Sequence, residues 1–397
     1  MTATDLADPD LYAVGDPVPV WQRLRETAPV HWNDHPASGG FWAVVAHEPA
    51  LQVYKGREFT SEQGMRLGSD PQAVAAAAGR MLIVTDPPRH TGIRRLIAPV
   101  LNPRRVGAME ETMREVLEPL VDAALERGTL DFVSEVAAVL PSAIVCQLMR
   151  IDQEERLRLV ELTSTAFGSS ADGCPVSPTA RIQANASIFR YYLGLLGRRR
   201  ANPGDDIVSV LAEGLVDGEP LTDSEIILNC NGLLSGANET TRLASAAAVL
   251  AFIEHEDQWE LLRSGRLDLD TAVEEILRWS SPNMHVIRTA RTDTVICGQE
   301  IRAGQQVAVW TPSVNRDETV FDQPHTFDLR RTPNRHLTFG AGSHFCVGAS
   351  LARVELRVFL QVLAAKVARA EVTGPVRRMR SNFMWGIESL PVRLWRN

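Results

Sequence analysis

Paired cysteines, long apolar runs and a basic tail are all missing from this chain, and each absence removes a class of protein. Its five cysteines (Cys146, Cys174, Cys230, Cys297 and Cys346) are odd in number and scattered. They form neither a disulfide framework nor a zinc-ligand pattern, and they suit a reducing compartment. No uninterrupted apolar stretch reaches the length that a bilayer-spanning helix needs. The N-terminal Met1-Thr2-Ala3-Thr4-Asp5-Leu6-Ala7-Asp8 has neither the basic nor the apolar part of a targeting peptide. The reading is a cytoplasmic chain with no membrane partner. A formal charge of −8 without a basic tail argues against a nucleic-acid partner. Repeats, low-complexity tracts and linker-like stretches are absent too, so residues 1–397 read as one domain. With 45% hydrophobic residues in 397, the chain can bury a large core.

What is present is mostly helical patterning. A short helix is expected around Trp21, and a hairpin strand at Phe41-Trp42-Ala43-Val44-Val45. Residues 61–85 read as a short helix or a loop. Asp86-Pro87-Pro88 starts a helix, which puts His90 and Arg94 four residues apart on one face. Residues 106–200 are strongly helical, interrupted by the loop composition of Phe167 to Pro175. Thr222-Asp223-Ser224-Glu225 is a capping box opening a long apolar helix. On that helix Gly232, Gly236 and Thr240 recur every fourth residue, a bare face suited either to a flat ligand or to close helix packing. Glu275 and Arg278 form an i, i+3 pair, by itself a weak signal.

The most informative stretch runs from His336 through Leu337-Thr338-Phe339-Gly340-Ala341-Gly342-Ser343-His344-Phe345-Cys346-Val347-Gly348 to Glu355. A thiol in a glycine-rich loop just before a helix is expected to have a lowered pKa, through unpaired backbone N–H groups and the helix dipole. A lone cysteine in such a turn reads as a buried structural thiol; the whole string says more.

Phe339, Gly340, Gly342, His344, Cys346 and Gly348 fill every fixed position of Phe-Gly-x-Gly-x-His-x-Cys-x-Gly, and Ala352, Arg353 and Glu355 follow as Ala-Arg-x-Glu. This string resembles the haem-binding loop of the cytochrome P-450 family. The resemblance implies a mainly α fold with minor β sheets (α+β), with haem between a long distal helix and a cysteine-bearing proximal loop. Cys346 would be the axial thiolate of a haem b iron. Asp86-Pro87-Pro88 with His90 and Arg94 resembles the family segment whose His and Arg hold a haem propionate. Arg288 resembles the arginine on the second propionate, with His344 beside the thiolate loop.

Gly236-Ala237-Asn238-Glu239-Thr240-Thr241 resembles the family's distal motif, in which the acid and the alcohol, here Glu239 and Thr240, relay protons to bound dioxygen. Gly236-Ala237 inverts the usual order of the two small residues, and a kink is still expected there. The acid–alcohol pair favours the oxygen-dependent, externally reduced type over relatives that use hydrogen peroxide. Glu275, Arg278 and a loop arginine, Arg331, match the family's structural lock. Met284 and His285 would border the pocket, and Met384 and Trp385 resemble the tip of a hairpin that enters it.

The implied activity is a haem-thiolate monooxygenase that hydroxylates a small organic substrate in bacterial secondary metabolism or antibiotic biosynthesis. Aromatic or polyketide substrates are the working expectation, free or tethered to a carrier protein. The implied electron donors are a ferredoxin and its ferredoxin reductase. A monomer is expected. The acidic ferredoxin would dock over the cysteine face, where Arg94, Arg95, Arg104, Arg105, Arg353 and Arg357 are candidate contacts. The alternatives are phenol coupling or desaturation by the same chemistry and, in another class, a non-catalytic haem sensor or electron carrier.

Overall fold

The apolar periodicity and cap signals of the sequence resolve into a helical body joined to small sheets. A computed structural model describes residues 4–36, 39–167 and 176–397. The interruption expected from Phe167 to Pro175 lies, from residue 168 onward, outside the described residues. The helices that frame the site are α1 (Arg89–Ile97), α2 (Glu110–Arg127), α3 (Val139–Leu148), α4 (Gln153–Phe167), α5 (Pro178–Ala201), α6 (Asp223–Glu254), α7 (Leu269–Ser280) and α8 (Ala349–Lys366).

The central element is α6, 32 residues long. Its start is fixed by the expected box: the Glu225 N–H donates to Thr222 Oγ1 at 3.3 Å, and the Thr222 N–H donates back to Glu225 Oε2 at 2.8 Å. It ends at His255, whose N–H closes the last turn on the Ala251 carbonyl at 2.8 Å. Because α6 contacts α3, α5, α7 and α8, it is buried on several sides. This explains its apolar character nearly all round, the pattern of a core helix rather than an amphipathic surface one. Leu117, Val121, Ile144, Leu234, Phe359 and Leu363 belong to the same large apolar cluster.

Five strands form the main sheet: β1 (Val30–Asn33), β2 (Phe41–Val44), β3 (Phe59–Thr60), β4 (His285–Ala290) and β5 (Gln306–Trp310). Their order is β1-β2-β5-β4-β3, antiparallel except for the β2–β5 pair. Val307 to Trp310 on the central strand are fully enclosed, and they read as a continuous apolar run because both faces are covered. Residues 61–85, left open between helix and loop, contain both: a helix Pro71–Ala77 capped by Asp70, and a single 3-10 turn at Leu82–Val84. A three-stranded antiparallel sheet of Thr129–Asp131, Val367–Val372 and Pro391–Arg396 closes the far side. Among the described residues no single helix is long and apolar enough to cross a membrane.

Candidate active site

The cysteine loop is built from a side-chain scaffold as much as from its own backbone. Asn315 accepts the Leu337 N–H at 2.7 Å and donates to Ser281 Oγ and Thr338 Oγ1 at 2.8 and 2.9 Å. Thr338 in turn donates to the Leu277 carbonyl at 2.9 Å, tying the loop to the end of α7. The Cys346 N–H donates to the Phe339 carbonyl at 2.9 Å, and that bond folds the loop back on itself. Gly342 has φ +71°, and a Cβ there would lie 2.6 Å from the Tyr54 carbonyl oxygen, so only glycine fits. Gly340 also takes a positive φ, +66°. Phe339 lies under the Arg353 guanidinium, 4.6 Å from ring to Cζ.

Cys346 keeps accessible surface although protein surrounds it closely. Burial raises its pKa, and the Gly348 N–H, Arg94 and Arg353 offset this only in part. The lowered pKa expected from the helix N-terminus is therefore outweighed by desolvation. An isolated thiol here is no ready nucleophile, whereas coordination to a metal cation removes the proton outright.

Beside the thiol the structure gathers four groups that bear or can bear positive charge. His90 on α1 and His344 in the loop have ring centroids 4.2 Å apart. Arg94 lies one turn beyond His90 on the same helix, and it lowers the pKa values of His90 and Cys346. Arg288 on β4 is buried, with Nη1 donating to the Ile287 carbonyl at 2.8 Å. Burial first, then Arg288 and His90, hold the His344 pKa down to about 3. His90 is lowered for the same reasons, burial and then Arg94. Both ring nitrogens of His90 are buried without a hydrogen-bond partner. A buried ring without hydrogen-bond partners beside two guanidinium groups is costly, and an anion among them removes that cost. The donor set fits the carboxylate edge of a haem, for which Cys346 would be the iron ligand.

On α6, Gly236 and Thr240 retain accessible surface, and a Cβ on Gly236 would meet nothing within 4 Å. The Thr240 hydroxyl donates to the Gly236 carbonyl at 2.8 Å, the back-bond that bends helices locally. The helix continues without a break through the inverted Gly236-Ala237 pair. Glu239 pairs with Arg242 at 2.5 Å and also accepts from Asn238 Nδ2 at 3.4 Å. One turn earlier, Gly232 is covered by Met81.

Glu275, Arg278 and Arg331 come together as one buried network. Arg278 donates Nε and Nη2 to the two Glu275 oxygens at 2.7 Å each, and Arg331 Nε reaches Glu275 Oε2 at 3.1 Å. Arg278 and Arg331 also donate to the carbonyls of Asn315, Pro324, Asp322, Gln323 and Thr326. The pair thus holds the chain that leads into the cysteine loop.

The four residues expected at the pocket behave differently. Met284 and His285 are completely enclosed. Trp385 packs against Trp21 and Tyr12, with centroids 5.6 and 6.1 Å away, so it fills an N-terminal aromatic cluster. Met384 bridges Asn283. The cause is local: the 61–70 loop and the 379–386 turn cover the start of β4 from both sides.

Of the arginines expected to meet a redox partner, three are already engaged. Arg353 pairs with Glu274, Arg357 with Glu110 and Asp270, and Arg105 with Asp205. Ser61 had no signal of its own in the sequence, and Glu355 entered only as the last residue of Ala-Arg-x-Glu. Ser61 donates to Asp86 at 2.9 Å and touches His344 Nε2 at 3.3 Å. Glu355 is buried against α6 with neither oxygen hydrogen-bonded.

Residues 268–364 match the family model described as Cytochrome P-450. The chain is 40% identical to cytochrome P-450 NovI of Streptomyces niveus over 395 residues, covering 98% of this chain and 96% of that one. It is 36% identical to linalool 8-monooxygenase of Pseudomonas putida, covering 99% of each. Its fold superposes with a TM-score of 0.90 and 36% identity on the crystal structure of P-450 OxyD, involved in the biosynthesis of vancomycin-type antibiotics, over 100% of both chains.

Proposed function

Since the chain belongs to the cytochrome P-450 family of haem-thiolate monooxygenases, we propose that it hydroxylates a small organic substrate of bacterial secondary metabolism, aromatic or polyketide in class. The balanced reaction takes R–H, dioxygen, two electrons and two protons to R–OH and water. A ferredoxin with its reductase supplies the electrons. The bound haem supplies dioxygen activation.

The chain's own residues do the rest. Cys346 Sγ would ligate the iron, and Arg94 and Arg288, as cations, with His90 and His344, as neutral N–H donors, would bind the carboxylate edge of the ring. Thr240 Oγ1 holds a proton at the open face of α6, with Glu239 beside it in sequence as the acid that replenishes that proton through water. Arg242 fixes the Glu239 carboxylate. Glu275, Arg278 and Arg331 keep the approach to the cysteine loop rigid.

The observation that carries this reading is the gathering of Arg94, Arg288 and the unpartnered His90 ring beside His344 and Cys346, together with the bare Gly236–Thr240 face of α6. A carrier or sensor of haem needs the first feature and has no use for the second. The test is a spectral-shift screen of aromatic and polyketide-like compounds, followed by turnover under isotopically labelled dioxygen. A product carrying one labelled oxygen atom supports hydroxylation. A coupled or desaturated product without label overturns it in favour of those reactions.

A further inference from the structure

His285 lies at the start of β4 with both ring nitrogens engaged and no exposed surface. Its Nε2 accepts the Leu67 N–H at 3.0 Å, and its Nδ1 faces the Asn382 carbonyl at 2.8 Å. A backbone N–H needs an acceptor and a carbonyl needs a donor, so one neutral tautomer satisfies both, with the proton on Nδ1. Burial holds the pKa at about 4, which keeps that form at neutral pH. The ring is stacked on Trp310 at 5.1 Å and meets Phe383 edge-on at 5.7 Å, so it cannot turn freely.

The two segments it joins are distant in sequence and irregular in structure. Backbone bonds reinforce each attachment: Ile287 N–H to the Met65 carbonyl at 3.1 Å, and Met284 N–H to the Phe383 carbonyl at 2.8 Å. Each segment then runs on to α6. After the 61–70 loop the chain reaches Met81, whose Cε would lie 2.5 Å from a Cβ on Gly232. The 379–386 turn ends at Gly386, where a Cβ would lie 2.6 Å from Leu243 Cδ2. Gly232 and Leu243 are separated by about 16 Å of helix, and the open stretch Gly236–Thr240 lies between them.

We infer that His285 is a positioning residue for substrate selection: it sets the spacing of the 61–70 loop and the 379–386 turn, and so the size of molecule admitted over Gly236–Thr240. It touches no substrate itself. The inference rests on the reading of that face as the reaction site.

Two variants separate the two bonds. In His285→Asn the side-chain amide stands where Nδ1 stood and keeps the Asn382 contact while releasing Leu67. In His285→Gln the amide reaches the Nε2 position, keeps Leu67 and releases Asn382. Hydrogen exchange of the holoenzyme, read by mass spectrometry, is expected to rise in peptides covering 61–70 for the first variant and 379–386 for the second. Binding of 1-methyl-, 1-butyl-, 1-octyl- and 1-dodecylimidazole, read as the Soret shift of nitrogen ligation, reports the space over the iron. The ratio of longest-chain to shortest-chain affinity is expected to change by about fivefold or more in each variant, the effect of one lost buried hydrogen bond.

Exchange rising in both segments or in neither, or affinities moving in equal proportion along the series, overturns the inference. Wild-type protein lacking the thiolate spectrum under carbon monoxide overturns instead the functional reading and the pocket half of this inference with it. The exchange pattern still decides whether His285 joins the two segments.

Discussion

The rings of His90 and His344 lie 4.2 Å apart, on segments that are 254 positions apart in the chain. Neither ring carries a carboxylate partner in contact, and both His90 nitrogens are buried and unpaired. A buried, unpartnered imidazole beside Arg94 and Arg288 is tolerable when an anion sits among them. His90→Phe keeps the packing and removes the donor. Its expected effect is faster loss of haem to an acceptor globin by about ten- to a hundredfold, the worth of one hydrogen bond to a charged group. Unchanged transfer kinetics would remove His90 from the carboxylate-binding set.

Thr240→Ala removes the hydroxyl at the open face of α6. Reduced cofactor is expected to be consumed at a similar rate, while product falls by about tenfold or more and hydrogen peroxide rises to match. Thr240→Ser should restore most of the coupling. The measurement is the ratio of product to cofactor consumed, and an unaltered ratio in Thr240→Ala would end the relay assignment.

Glu275 holds Arg278 and Arg331 with both carboxylate oxygens fully enclosed. Glu275→Ala leaves the buried Arg278 guanidinium and the partly buried Arg331 without their anion, at a cost of about 3–5 kcal/mol. Chemical denaturation of the holoenzyme should show that loss, and the yield of haem-loaded protein should fall with it. Exposed pairs such as Arg369–Glu371 should change stability by well under 1 kcal/mol when cut.

Glu355 provides a pH test. Burial raises its pKa from 4.5 to about 8, and the nearby Thr241 hydroxyl offsets this only in part without reaching hydrogen-bond geometry. The folded protein therefore keeps a proton that the unfolded chain gives up. Its contribution to stability is complete below pH 4.5 and is lost as pH rises toward 8. The slope is at most about 1.4 kcal/mol per pH unit. Glu355→Gln should flatten denaturation midpoints across that window relative to wild type, and an unchanged pH profile would show that Glu355 is ionised in the folded state.

The sequence carried the cysteine loop well because its determinants are contiguous: Phe339 to Gly348 lie in one string, and the glycine at 342 is demanded by its own φ. The capping box of α6 was equally local. Ser61 and His344 meet across 283 positions, and nothing near either residue announces the other. Charge was also legible only as charge. Arg353 and Arg357 read as a docking face until Glu274, Glu110 and Asp270 are seen to hold them. Met284 and His285 read as pocket residues because the strand start is near the site. Their enclosure depends on two irregular segments whose paths are set by backbone bonds to β4, not by any periodicity of their own.

The ligation of haem iron by Cys346 is tested most directly by the carbon-monoxide difference spectrum of the reduced holoprotein, wild type beside Cys346→Ser. The account predicts the long-wavelength Soret band of a thiolate-ligated haem in the wild type and its disappearance in Cys346→Ser. A wild-type band at the shorter wavelength of imidazole ligation, or a thiolate band that survives the substitution, would contradict it.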